Sequence, residues 1–111
     1  MISTYNLGLL SEYAAILFLK LKAYRILERR YRNYLGEIDI IAAKGNLIVF
    51  LEVKTIRDDN GAFPVVSNKQ LDRIRRSATI YLNRGYQNYD IRFDLITVSN
   101  LILVRHYKGV F

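Results

Sequence analysis

Two strand-forming runs joined by a turn dipeptide constrain this chain more than any other feature. Gly36-Glu37-Ile38-Asp39-Ile40-Ile41-Ala42 and Val49-Phe50-Leu51-Glu52-Val53-Lys54 flank a turn at Lys44-Gly45-Asn46. Gly-Asn between two aliphatic, β-branched runs is the signature of a two-residue hairpin loop. With Gly45 and Asn46 as that loop, Lys44 lies opposite Leu47, Asp39 opposite Glu52 and Glu37 opposite Lys54. Strand side chains alternate with a period of two, so this register puts all four charged groups on one face. A slip of one residue would oppose Asp39 to Leu51 and send the carboxylates to opposite faces.

Carboxylates directly across a ladder repel unless a proton or a cation lies between them. Hard oxygen ligands suit Mg²⁺ or Mn²⁺, which take one or two carboxylates together with phosphate and water. The plainer reading is a Glu37–Lys54 ion pair, with Asp39 and Glu52 at a solvated strand end. The surrounding residues weigh against it. Ile38, Ile40, Ile41, Val49, Phe50, Leu51 and Val53 make both strands apolar on both faces. Strands of that kind are buried, and buried charges are rare unless paired, liganding or catalytic.

The flanking segments supply the other elements. Residues 6–22 are expected to be a helix with Asn6 as N-cap, and Leu9, Glu12, Ile16 and Leu19 share one face. Glu12 is the acid on that stripe, and by pattern alone it is a marginal residue reaching to water. Residues 23–32 are expected to be an edge-side strand in which Tyr24 and Tyr31 interleave with Arg25, Arg29, Arg30 and Arg32, leading into a loop at 33–35. Arg beside Tyr can hold phosphate and stack on unpaired bases, although the tyrosines serve equally as ordinary core residues. Residues 55–64 form a polar loop carrying Arg57, with a turn at Asp58-Asp59-Asn60-Gly61. Ser67-Asn68-Lys69-Gln70 fits a capping box, Ser67 at N-cap and Gln70 at N3, opening a helix to about Arg84. Its core stripe is Leu71, Ile74, Ala78, Tyr81 and Leu82, whereas Lys69, Arg73 and Arg76 lie on another side. Residues 90–98 alternate as a strand, paired with 101–107 across a two-residue turn at Ser99-Asn100. His106 is the only histidine. Near the C-terminus it reads as a surface residue rather than a ligand.

The order α-β-β-β-α-β-β implies an α/β or α+β domain with a mixed central sheet flanked by helices. A chain of 111 residues, 51% hydrophobic, is one domain with enough apolar content for its own core. It has no cysteine, which excludes thiol nucleophiles, disulfides and Cys-ligated zinc. No secretory leader or membrane-spanning run is visible, so the expectation is a cytoplasmic protein without membrane contact. The formal net charge is +7, and its distribution says more than the total. Residues 20–34 carry six basic groups and one acid, and residues 66–87 carry five and one. The acidic hairpin lies between them. A cationic rim around an acidic pocket suits a metal-dependent enzyme acting on a phosphodiester.

The constellation resembles the PD-(D/E)XK nuclease superfamily, and within it the YraN-type family of proposed endonucleases, relatives of archaeal Holliday junction resolvases. Gly36 to Ala42 matches that family's Gly-Glu-Ile-Asp-hydrophobic-Ile-Ala motif and Phe50 to Lys54 its Phe-hydrophobic-Glu-Val-Lys motif. The resemblance runs from about Ser11 to Val98. Ser11-Glu12-Tyr13-Ala14-Ala15 matches a helical Gly-Glu-x-x-Ala with Ser in place of Gly, and Lys69-Gln70 matches a Lys-Gln at the head of the second helix. Elsewhere Ala23 stands for Gly, Arg30 for Asn, Ile56 for a basic residue and Pro64 for Gly.

What the resemblance implies is a restriction-endonuclease-like core and a metal-dependent DNA endonuclease, acting on branched or recombination DNA. Asp39, Glu52 and the carbonyl of Val53 would hold Mg²⁺ or Mn²⁺, and Lys54 would act on the attacking water. Glu12 would assist, Glu37 would position Lys54, and Gln70 is either a cap or a site residue. Arg29, Arg30, Arg32, Arg57, Lys69, Arg73 and Arg76 would contact the nucleic acid. The rival is a catalytically inactive DNA-binding or partner-binding scaffold, and an RNA-directed nuclease is a third reading. A homodimer is compatible with the sequence but does not follow from it.

Overall fold

The computed structural model describes residues 3–56 and 66–110. The elements are α1 (Thr4–Leu21), β1 (Arg25–Asn33), β2 (Gly36–Lys44), β3 (Leu47–Ile56), α2 (Asn68–Leu82), β4 (Asp90–Ser99) and β5 (Leu103–Tyr107). One five-stranded sheet has the strands in sequence order, β1-β2-β3-β4-β5. All pairings are antiparallel except β3 with β4, which α2 bridges as the crossover a parallel pair requires. This is the mixed α+β architecture that the order of elements predicts.

The central hairpin has the expected register, with Lys44 opposite Leu47 and Ile40 opposite Leu51. Gly45, at φ +59°, supplies the left-handed first position of the loop. Two expectations at other element ends are corrected. Ser3, not Asn6, caps α1: its hydroxyl accepts the Asn6 N–H at 3.1 Å, satisfying one of the unpaired donors of the first turn. The β4–β5 loop has three residues rather than two, because Ser99 pairs with Leu103. Asn100 and Leu101 are both left-handed there, at φ +53° and +63°.

Two apolar layers sandwich the sheet. On one side Ala15, Ile16 and Leu19 of α1 pack on Ile40, Ala42, Val49, Leu51, Ile96 and Val98. On the other Ile74, Ala78 and Tyr81 of α2 pack on Tyr31, Ile38, Ile41, Ile48 and Phe50. Each fully buried aliphatic or aromatic side chain contributes about 1.5–3 kcal/mol before its entropy cost. Both layers are therefore needed to hold the sheet. Gly36 fixes how closely α2 approaches β2. A Cβ there would stand 2.9 Å from Ser77 Oγ and 3.2 Å from Arg73 Cβ.

β1 has a bulge between Ile26 and Glu28, and simple alternation fails again beside Asp39, where the break positions the site. Ile38 faces the α2 layer but Ile40 faces the α1 layer, although two residues apart they should share a side. On the neighbouring strand Arg29 reaches Tyr13 and Arg30 reaches Glu12, so adjacent residues both turn toward α1. Arg30 has φ +50°. Left-handed backbone at a non-glycine residue breaks the pleat, and Asp39 sits across from this irregularity.

His106 is also corrected. Its side chain is 7% exposed, and Nε2 lies 2.7 Å from Oδ2 of the fully buried Asp94. Asp94 further accepts Arg92 Nε and Nη2 at 2.8 and 2.7 Å and the Gly109 N–H at 2.8 Å. This network ties β5 and the segment after it to β4. No helix among the described residues is long and apolar enough to cross a membrane.

Candidate functional site

The site forms where β2 and β3 part. Their ladder runs to Ile40 and Leu51, and beyond it the Asp39 carboxylate takes over as acceptor, receiving the Val53 N–H at 2.8 Å. Glu52 is 9% exposed, and its side chain shares a hydrogen bond with Asp39. Phe50, Glu52 and Lys54 alternate onto the α2 side of β3. Lys54 Nζ stands 3.8 Å from Glu52 Oε1. Asp39, Glu52, Lys54 and the backbone of Val53 are thus near one another, although the ladder ends at Ile40–Leu51, one pair short of the expected Asp39–Glu52 pair.

Glu37 is placed differently. It pairs with Arg32, directly opposite on β1, at 3.3 Å. The ion pairs formed are therefore Arg32–Glu37 and Lys54–Glu52, in place of the expected Glu37–Lys54 contact. Past Leu51 the two strands separate, so residues opposite in number need not meet in space.

The cleft above the carboxylates has a volume of about 500 Å³ and is lined by Arg32, Glu37, Asp39, Glu52, Gln70 and Arg73, among others. Gln70 contributes twice: its backbone N–H is capped by Ser67 Oγ at 3.1 Å while the residue faces the cleft. Arg73 stands at the rim. Lys69 and Arg76 are exposed on α2 outside that lining, and Arg29 stacks on the Tyr13 ring at 4.6 Å. Arg57, the turn at 58–61 and Pro64 lie outside the described residues.

The electrostatics are those of a buried carboxylate pair that Lys54, 3.8 Å from Glu52, offsets only in part. Burial raises Asp39, and the Val53 N–H opposes that. Burial, then the Asp39 charge and the hydrogen bond between the two, push Glu52 up to about 8, against the pull of Lys54. At neutral pH the pair accordingly retains a proton. Glu12, on α1, is 15% exposed and bound by Arg30 Nε at 3.2 Å. Burial raises it too, and Asp39 adds to that, so Glu12 senses the pair. It does not complete a cage with them: among the described residues no three of His, Cys, Asp and Glu are gathered so as to hold a metal ion. The donors that fit Mg²⁺ or Mn²⁺ are two adjacent oxygen acids whose shared proton a cation can replace, which matches a hard ion needing few protein ligands.

Sequence reasoning missed Asp94 and Tyr5. A carboxylate inside the apolar run Phe93-Asp94-Leu95-Ile96 was the available signal for the first. Tyr5 carried none, since its neighbour Arg30 comes from β1.

Fold and cleft together define a mixed-sheet α+β protein, with two helices among the described residues and a buried carboxylate pair where a hairpin opens. The chain belongs to the uncharacterised protein family UPF0102, whose profile matches residues 11–98. A UPF0102 protein of Rhizobium etli is 43% identical over 106 residues, covering 94% of this chain and 87% of its own. One from Agrobacterium fabrum is 41% identical over the same coverage. One from Nitrobacter winogradskyi is 37% identical over 112 residues, covering 99% and 95%. The matched span contains every residue of the cleft.

Proposed function

We propose that this chain is a divalent-metal-dependent endonuclease of the PD-(D/E)XK kind that hydrolyses phosphodiester bonds in DNA, including branched DNA. The observation that carries the reading is the meeting of Asp39 and Glu52 beside Lys54 at the floor of a cleft with a cationic rim. Asp39, Glu52 and the Val53 carbonyl would hold Mg²⁺ or Mn²⁺. Such an ion lowers the pKa of bound water and offsets charge on a phosphoryl oxygen. The chain's own groups do the rest. Lys54 orients the attacking water and takes part in its proton transfer. Its positive charge also favours the extra negative charge of the transition state. Arg73 and Arg32 hold flanking phosphates. Glu37, through Arg32, positions that guanidinium rather than Lys54. Glu12 fixes Arg30 and adds negative potential beside Asp39.

A second reading has a specific basis: Arg30 and Arg32 already occupy Glu12 and Glu37. With those acids neutralised, the same surface suits metal-independent DNA binding by a scaffold. One experiment separates the two. Linear, flapped and four-way DNAs are incubated with Mg²⁺ or Mn²⁺, and with EDTA, using wild type, Asp39→Asn and Lys54→Ala. The nuclease reading expects metal-dependent cleavage that both variants abolish while circular dichroism stays native. Asp39→Asn should also weaken metal association, whereas Lys54→Ala should keep it. Equal DNA binding in EDTA and Mg²⁺ with no cut on any substrate would establish the scaffold instead.

A further inference from the structure

A second cavity adjoins the carboxylate cleft on the α1 side. Its volume is about 360 Å³, and Tyr5, Gly8, Glu12, Arg30, Arg32 and Glu37 line it. Arg32 and Glu37 line the carboxylate cleft as well, so the two spaces share a wall. The size falls within the roughly 300–1,000 Å³ of sites that enclose small ligands.

Two features of that wall cost the fold something and are not explained by packing. Gly8 lies inside α1, where glycine is disfavoured relative to alanine. Among the described residues nothing requires it: its φ is not positive, and a Cβ built there meets no atom of theirs within 4 Å. The missing side chain simply leaves the cavity floor open. Arg30 is the second feature, held in left-handed backbone at φ +50°. The result is that its guanidinium stands 5.9 Å from the Tyr5 ring centroid, with Nε anchored on Glu12. Tyr5 itself is 69% exposed, so the ring is not filling a core. Strained backbone of this kind clusters at functional sites, and here, unlike at Ala23, it lies on a cavity wall.

We propose that this cavity receives one unpaired base of the strand whose phosphodiester lies in the carboxylate cleft. The base stacks on the Tyr5 ring and the Arg30 guanidinium over the opening left by Gly8, and Arg32 holds the phosphate between the two spaces. An aromatic face with a cation beside it stacks any base, so selection is for the unpaired state and not for sequence. A base inside a duplex enters only after unstacking. The inference rests on the nuclease reading and narrows its substrate to DNA with an unpaired nucleotide beside the cut.

The test needs no turnover. In EDTA, fluorescence anisotropy compares two duplexes of matching sequence, one with a single bulged 2-aminopurine and one fully paired. Wild type should bind the bulged duplex about tenfold more tightly, the order expected for one stacked base, and 2-aminopurine emission should change on binding. Gly8→Leu fills the floor and Tyr5→Ala removes the platform, so each should bring the ratio close to one. Tyr5 is exposed, so its variant carries the test if Gly8→Leu does not fold. A ratio near one in wild type, or a ratio retained in Tyr5→Ala, overturns the proposal. Adding Mg²⁺ to the same duplexes examines the nuclease reading separately. Preference without cleavage keeps the pocket and removes the nuclease; cleavage without preference does the reverse.

Discussion

Replacing Glu52 by Gln should make the metal-free protein more stable at alkaline pH while removing its response to Mg²⁺. Glu52 is 11% exposed at its side chain and hydrogen-bonded to Asp39. Its carboxyl is raised from 4.5 to about 8, first by burial and then by the Asp39 charge. The sign follows from linkage. A folded-state pKa raised above the unfolded value means that the fold binds the proton more tightly. That stabilisation is fully present below about pH 4.5 and is lost as pH rises through about 8. At about 1.4 kcal/mol per decade of proton affinity, the loss is at most about 5 kcal/mol. Relaxation around an ionised pair and sharing of the proton with Asp39 reduce this to roughly 2–3 kcal/mol. For a chain of this size that is a fall in Tm of about 10 °C between pH 5 and 9.

Gln keeps the shape and can donate to Asp39, but carries no proton to lose. The assay is thermal denaturation in EDTA across pH 5–9 for wild type and Glu52→Gln, repeated with Mg²⁺. Wild type should lose stability with rising pH and recover it with Mg²⁺, more at pH 8.5 than at 5.5, because the cation replaces the proton. The variant should show a flatter curve and no recovery. Parallel curves for the two proteins, or an equal Mg²⁺ effect on both, would refute the reasoning.

Three further outcomes are expected. Ala23 ends α1 at φ +70°, so Ala23→Gly should stabilise by about 0.5–1 kcal/mol, read as a rise in urea midpoint. Gly36→Ala should destabilise by about 1–3 kcal/mol, because its Cβ would meet Ser77 Oγ at 2.9 Å. Adding Ser77→Ala should restore part of that loss, and a double-mutant cycle without coupling would disprove the close approach. At Asp94 burial favours the neutral acid, but His106, Arg92 and the Gly109 N–H overcome it and hold the carboxyl at about 2. Its contribution is therefore present above about pH 3.8 and lost as pH falls through about 2. Asp94→Asn should cost about 3–5 kcal/mol at pH 7, measured by denaturant unfolding, since it strands buried donors.

The hairpin was legible because its information is local. A turn dipeptide and two apolar runs determine the register as far as Ile40 and Leu51, which leaves Asp39 and Glu52 next in line on their strands. The Arg32–Glu37 pair was not legible for the complementary reason: it depends on β1 lying beside β2 and on the strands parting beyond Leu51. His106 reads as a surface group from the sequence because it lies close to a chain end. The rings of Phe18 and Tyr24 pack against it, and its polar partner is Asp94, twelve residues away in sequence and on the adjacent strand. Long-range charge partners leave no periodic trace, so pattern reading finds the apolar frame and misses what the frame encloses.

The departures from the resembled motifs have separate physical outcomes. Ser11, where the resembled motif has Gly, is fully buried, and its hydroxyl accepts from Thr55 Oγ1 at 2.8 Å. That bond ties α1 to β3 one residue beyond Lys54, so the larger side chain is accommodated by a partner, and Glu12 beside it lines the second cavity. Ala23 has no such compensation, because a Cβ in left-handed backbone is strained whatever surrounds it. Arg30, where Asn would accept that conformation more readily, keeps the strain and places a guanidinium between Tyr5 and Glu12. Ala23 lies at a helix end and lines neither cavity, whereas Arg30 stands on the wall of the second one. The first substitution is therefore a pure stability cost that mutation can recover. Relieving the second by Arg30→Asn should raise stability and at the same time remove the cation over Tyr5, so gain in fold and loss in binding should appear together.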